Sequence, residues 1–157
     1  MNPSLRAATA EDGTRVADLL ISTRAEFMPY APSAHTEAEV RSWVASTLVP
    51  ARGVIVAELE GRVVGVMVSQ LGAGTSWITQ MAVDPTLVGN GIGSTLLAFA
   101  MAEFPKPIHL YTFQANVGAR RFYERHGFVA IEFTEGQDNE ELCPDVLYAL
   151  PPPQADA

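Results

Sequence analysis

The amino-acid sequence predicts an α/β fold in which strands and helices alternate along the chain. Three observations carry this prediction. An apolar run from Trp77 to Val83 stops at Asp84-Pro85, passes through Gly89, Gly91 and Gly93, and enters the helical pattern Thr95-Leu96-Leu97-Ala98-Phe99-Ala100, a strand–loop–helix succession. A second such unit runs from strand-like Ile108-His109-Leu110-Tyr111-Thr112 into a helix opened by Asn116, a good N-cap residue. Two β-branched segments, Val54 to Leu59 and Val63 to Val68, flank Glu60-Gly61, which reads as a hairpin turn.

The remaining elements follow in order. Leu5-Arg6-Ala7-Ala8 makes a short first strand. Thr14 to Met28 carries apolar residues at helical spacing (Val16, Leu19, Leu20, Ala25 and Phe27) until Pro29-Tyr30-Ala31-Pro32 breaks the pattern. Thr36-Glu37-Ala38-Glu39 has capping-box spacing and starts a helix reaching about Leu48. Gly72-Ala73-Gly74 turns into the Trp77 strand, and the helix after the glycine loop extends to about Phe104. Gly127 stands where a helix C-terminus takes a left-handed residue. Phe128 to Thr134 and Asp145 to Leu150 form two last strands around an acidic loop. The order is β-α-α-β-β-β-α-β-α-β-β.

The 157 residues suit one domain with a sizeable core. Residues 1–150 are expected to form it, and Pro151-Pro152-Pro153-Gln154-Ala155-Asp156-Ala157 a loosely ordered tail. No apolar run approaches the length of a membrane span, and the N-terminus lacks a signal peptide's basic and apolar regions. The single Cys143 cannot form an internal disulfide. A cytoplasmic protein without a membrane partner is expected. A formal charge of -8 argues against nucleic acid and leaves small cations open. No lysine or arginine follows Arg125, whereas Glu132, Glu135, Asp138, Glu140, Glu141, Asp145 and Asp156 do. That acidic stretch is either a solvated loop or a face for a cationic ligand.

The glycine loop suits a phosphate or pyrophosphate. Glycines let the backbone approach a ligand closely, and the next helix presents free N–H groups backed by its dipole. A Walker loop is excluded, because Lys106 is the only lysine and lies elsewhere. A dinucleotide fingerprint needs Gly-x-Gly-x-x-Gly in the first crossover, and Gly89-x-Gly91-x-Gly93 lies deep in the chain.

A second block reads Asn116-Val117-Gly118-Ala119-Arg120-Arg121-Phe122-Tyr123-Glu124-Arg125-His126-Gly127-Phe128. Together the two blocks resemble the GNAT superfamily of N-acetyltransferases. Val88-Gly89-Asn90-Gly91-Ile92-Gly93 is similar to its Gln/Arg-x-x-Gly-x-Gly/Ala loop. Asn116, Ala119, Phe122, Tyr123, Gly127 and Phe128 match its Asn-x-x-Ala-x-x-Phe-Tyr-x-x-x-Gly-Phe helix. The resemblance implies a mixed sheet of about seven strands with helices on both faces. It implies acetyl-CoA as co-substrate, no metal, and a small-molecule or peptide amine as acceptor; homodimers are common for this fold, and the oligomeric state stays open.

By the same resemblance, the main chain of Met81, Ala82 and Val83 would bind the pantetheine arm and meet the charge developing on the thioester carbonyl. Val88, Gly89, Asn90, Gly91, Ile92, Gly93 and Ser94 would hold the pyrophosphate, with Val88 departing from the family's Gln or Arg. Ala119 and Phe122 belong to the coenzyme helix, and Asn116 either caps it or bonds the coenzyme arm. Lys106, Arg120, Arg121 and Arg125 would help meet the anionic coenzyme. Tyr123 would protonate the leaving thiolate as general acid. The family's strand glutamate aligns with Trp77, so the base is a water chain, Glu26, His35 or the acidic loop. Tyr30, His35 and Trp43 are expected at the acceptor pocket. Two other classes remain: a catalytically silent acyl-CoA-binding sensor, and a nucleotide-binding protein of another fold.

Overall fold

The computed structural model describes residues 2–31 and 33–152. Of the expected tail, only Pro151 and Pro152 fall among them; the rest lies outside the described residues. The elements are β1 (Ser4–Ala7), α1 (Gly13–Phe27), α2 (Glu37–Trp43), β2 (Val54–Leu59), β3 (Arg62–Gly72), β4 (Thr75–Val83), α3 (Ile92–Glu103), β5 (Ile108–Phe113), α4 (Val117–Arg125), β6 (Val129–Thr134) and β7 (Asp145–Leu150). Single 3-10 turns precede α1 (Ala10–Asp12) and α3 (Pro85–Leu87), and α2 runs on into a π turn at Val44–Leu48.

The strands form one sheet of seven in the order β1-β2-β3-β4-β5-β7-β6. Every neighbouring pair is antiparallel except β4 and β5. This is the mixed sheet implied above. At the β2–β3 turn Glu60 and Gly61 have φ of 51° and 78°, the two positive values that a tight hairpin needs. β3 outruns its expected end at Val68. Ser69, Gln70, Leu71 and Gly72 continue the ladder opposite Ile78, Trp77, Ser76 and Thr75, because polar side chains at a hairpin's exposed end do not interrupt backbone pairing.

Alternation along the strands divides the core in two. On one face Leu96, Leu97 and Ala100 of α3 pack with Met67, Ile108, Leu110 and Tyr148. On the other, Val16, Ala17 and Leu19 of α1 pack with Val56, Val66 and Ala82. Arg15 ties α1 to the end of β4, donating to Val63 O at 2.8 Å and pairing with buried Asp84 at 2.7 Å. Asp84 also accepts from Thr86 N–H and Oγ1 and so caps the turn leading to the glycine loop. These bonds hold its carboxyl below the usual range.

Candidate active site

β4 and β5 touch only at their beginnings. Ser76 pairs with Ile108 and Trp77 with His109, and no further pair follows. Ser76 fastens this corner, donating from its N–H to Pro107 O at 3.0 Å and from Oγ to Pro105 O at 2.7 Å. Beyond it the strands part. A bulge adds to the divergence: Val68 faces Gln80 and Ser69 faces Ile78, leaving Thr79 as the extra residue.

The parting leaves one edge of β4 open. Asp84 N–H donates to Val64 O of β3. Ladder alternation therefore turns Ala82 toward β3, where it pairs with Val66, and turns the main chains of Met81 and Val83 toward the gap. Val83 O accepts from Thr23 Oγ1 at 3.3 Å, which leaves its N–H as the free group. An extended ligand laid along this edge would find strand-type partners.

The glycine loop adjoins the same end of β4. Gly89 and Gly91 have φ of 90° and 83°, and a Cβ at either would meet nothing within 4 Å. The requirement for glycine is therefore conformational. Asn90 fixes the turn through Nδ2, which donates to Leu87 O at 2.9 Å. From Val88 to Ser94, no backbone N–H donates to another group among the described residues; Thr95 is the first to do so, to Gly91 O. A run of free donors at a helix N-terminus is an anion receptor. Val88 is exposed and adds no polar group to it.

The two sequence blocks meet in space. A Cβ on Gly93 would lie 3.3 Å from Phe122 Cζ, so α4 rests on the first turn of α3 because position 93 lacks a side chain. Asn116 Oδ1 accepts from Ala119 N–H at 3.2 Å, which is the cap. The next side chain of α4, Tyr123, turns inward, with its hydroxyl 3.9 Å from Met81 Sδ. Burial pushes the Tyr123 phenol up to about 12. Tyr148 holds the helix in place: its hydroxyl accepts from Arg120 Nε at 3.1 Å and donates to Glu124 Oε2 at 2.5 Å.

Two of the expected basic residues serve elsewhere. Lys106 Nζ donates to Met101 O at the C-terminal end of α3. Since α3 has 12 residues, that is about 18 Å from the glycine loop. Arg120 is spent on Tyr148 and on the face of Phe133, 5.4 Å away.

On the α1 side of β4 lies a cavity of about 880 Å³, floored by Leu20, Ile21, Met28, Val40 and Trp43 and reached by Gln80. Carboxylates crowd its rim: Glu37 and Glu39 from α2, Glu140 and Glu141 from the β6–β7 loop. Glu141 pairs with Arg24 at 3.0 Å. His35 Nε2 lies 2.9 Å from Glu140, and its Nδ1 lies 3.8 Å from Glu39. Glu39 also closes the α2 capping box with Thr36. The structure thus brings His35 and the acidic loop together, although they are 105 residues apart. Glu26 and Tyr30 are not among the residues lining this cavity. Glu26 lies one turn beyond Ser22 on the exposed side of α1, and Tyr30 sets its edge against Phe113 at 6.2 Å. Arg24 and Gln80 were not singled out from the sequence; Gln80 is legible only as the polar neighbour of Ala82 on one strand face.

The open edge of β4, the free N–H groups before α3 and the acidic cavity thus lie around the same strand. The family model described as the Acetyltransferase (GNAT) family matches residues 20–128, and the chain belongs to that family. Its members use acetyl-CoA.

Solved structures share the fold. Apo YjaB from Escherichia coli gives a TM-score of 0.76 at 24% identity, covering 96% of this chain and 98% of that one. The PaiA N-acetyltransferase of Thermoplasma acidophilum, solved with coenzyme A, gives 0.74 at 16% identity, covering 96% and 99%. The ribosomal-protein-S18-alanine N-acetyltransferase of Escherichia coli gives 0.75 at 16%, covering 98% and 96%. No curated protein matches the chain. Among the described residues no helix is long and apolar enough to cross a membrane, and no His/Cys/Asp/Glu group of three or more is placed to hold a metal ion.

Proposed function

We propose that this chain is an acetyl-CoA-dependent N-acetyltransferase in which a primary amine attacks directly in a ternary complex. The observation that carries the reading is the unbroken run of free N–H groups from Val88 to Ser94 beside the open edge of β4. It fits a pyrophosphate followed by an amide-bearing arm. When bound, acetyl-CoA supplies an acetyl group activated as a thioester.

The chain's own residues supply the rest. The main chain of Met81 and Val83 orients the arm. Tyr123, with its phenol near 12, keeps its proton at neutral pH and holds it over β4, where a departing thiolate needs one. His35, bonded to Glu140, receives the proton that an ammonium must lose before attack. The rim carboxylates favour a cationic acceptor. Cys143 lies in the β6–β7 loop with its thiol pushed up by burial, which makes it a poor nucleophile.

The reading is tested by thiol release from acetyl-CoA across a panel of amines. Turnover of some amines supports the enzyme. Coenzyme binding with no turnover on any amine favours the silent sensor, which the absence of a carboxylate between Ser76 and Val83 also allows. Glu140→Gln combined with Glu141→Gln raises the acceptor KM several-fold and leaves coenzyme affinity alone; an unchanged KM would remove the acidic loop from the acceptor site.

A further inference from the structure

A second cavity, of about 590 Å³, adjoins the first and shares Trp43 and Gln80 with it. Its other walls come from the last residue of the π turn (Leu48) and the corner after it (Ala51, Arg52 and Gly53), from the end of β3, and from Thr79 at the β4 bulge. Along β4 the order is Val83 and Met81 on the open edge, Gln80 in both cavities, then Thr79 in the second alone. The second cavity therefore continues the first, away from the glycine loop.

The two lobes differ in charge. The first holds Glu37, Glu39, Glu140 and Glu141 against Arg24 and His35. The second contains one charged residue, Arg52, beside the polar groups of Ser69, Gln70 and Thr79. Four of the other nine lysines and arginines are ion-paired: Arg6 with Asp12 and Glu58, Arg15 with Asp84, Arg24 with Glu141, and Arg41 with Asp18. Arg52 makes no ion pair among the described residues.

The backbone next to this exposed side chain is held from below. Gly53 O accepts from Ser69 N–H at 2.9 Å and from Ser69 Oγ at 3.3 Å. A Cβ at Gly53 would lie 2.4 Å from Ser69 O. The corner is thus seated directly on β3, with Arg52 at φ 64°.

Given the N-acetyltransferase reading, on which this rests, we propose that the second cavity is the distal subsite of the acceptor, and that the acceptor is an amine carrying a carboxylate, its ammonium end in the acidic lobe and its carboxylate at Arg52. A molecule so oriented matches the charge of each lobe, and the reverse orientation opposes both. Trp43, 40% exposed between the lobes, gives the connecting body an apolar surface.

The test compares matched acceptors, amino acids and dipeptides against the same compounds amidated at the carboxyl group, by thiol release on the wild-type chain. Acetyl-CoA affinity is measured separately by calorimetry. The free acids are expected to have kcat/KM about three- to fivefold higher, through KM, the scale of a solvent-accessible ion pair. Arg52→Gln closes that gap and Arg52→Lys restores part of it. Amides that react as well as the acids on the wild type, or a gap that survives Arg52→Gln, would overturn the subsite and leave the transferase standing. If acetyl-CoA binds and no amine reacts, the transferase reading and this inference fail together.

Discussion

At the scale of single residues, Tyr123 carries the chemistry proposed. Its ring packs against Phe122, Phe128 and Tyr148, and its hydroxyl reaches Met81 Sδ. Enclosure raises the phenol further above its ordinary value, since a desolvated phenolate is disfavoured. Tyr123→Phe preserves the ring and removes the proton. Turnover is expected to fall about 10²- to 10⁴-fold, the usual worth of a positioned acid, while the acetyl-CoA Kd changes little. Turnover equal to wild type would take Tyr123 out of the mechanism. The sequence located Tyr123 because a short motif surrounds it. It did not locate the His35–Glu140 or Arg24–Glu141 contacts, because residues so distant in the chain meet only through tertiary folding.

At the scale of elements, the glycine loop and α3 act as one unit. Gly91 sits at φ 83° as the residue before α3, in a region that costs a side-chain-bearing residue about 1–2 kcal/mol. Gly91→Ala has open space around its Cβ, so any penalty is conformational. The expected result is weaker acetyl-CoA binding with a small loss of Tm; unaltered affinity would show that the loop geometry is not used. This loop was plain in the sequence because glycine spacing reports backbone geometry directly, and β7 was legible to its ends for a similar reason, its apolar run being bounded by Pro144 and Pro151. The bulge at Thr79 and the parting of β4 from β5 were not legible. Both depend on what lies beside a strand, and local patterning carries no record of that. That Lys106 bonds the end of α3 and Arg120 bonds Tyr148 was not legible either, because nearness in sequence to a helix does not say which end or face a long side chain serves.

At the scale of the whole molecule, the sheet divides the labour. The α3–α4 face carries the proposed anion receptor and acid, and the α1–α2 face carries the proposed acceptor cavities. The open stretch of β4 lies between them. The α1 side is anchored at the far edge of the sheet by Arg6, which bonds Asp12 at 2.8 Å and Glu58 at 2.7 Å. The Arg6 guanidinium, aided by Thr9 N–H, holds the Asp12 carboxyl down to about 2. A carboxyl lowered on folding stabilises the fold fully above its unfolded pKa, near 4, and less as pH falls toward 2. Wild type should therefore exceed Asp12→Asn in urea stability at pH 6, with the difference shrinking between about pH 4 and pH 2. A difference independent of pH would mean that packing, and not charge, accounts for the contact.

The central claim is that the free N–H groups of the glycine loop and the open edge of β4 receive acetyl-CoA. Calorimetric titration of the wild-type chain with acetyl-CoA, with ATP and NAD as controls, tests it most directly. The account predicts micromolar binding of acetyl-CoA and none of comparable strength for either control. Absence of acetyl-CoA binding, or equal binding of ATP, would contradict it.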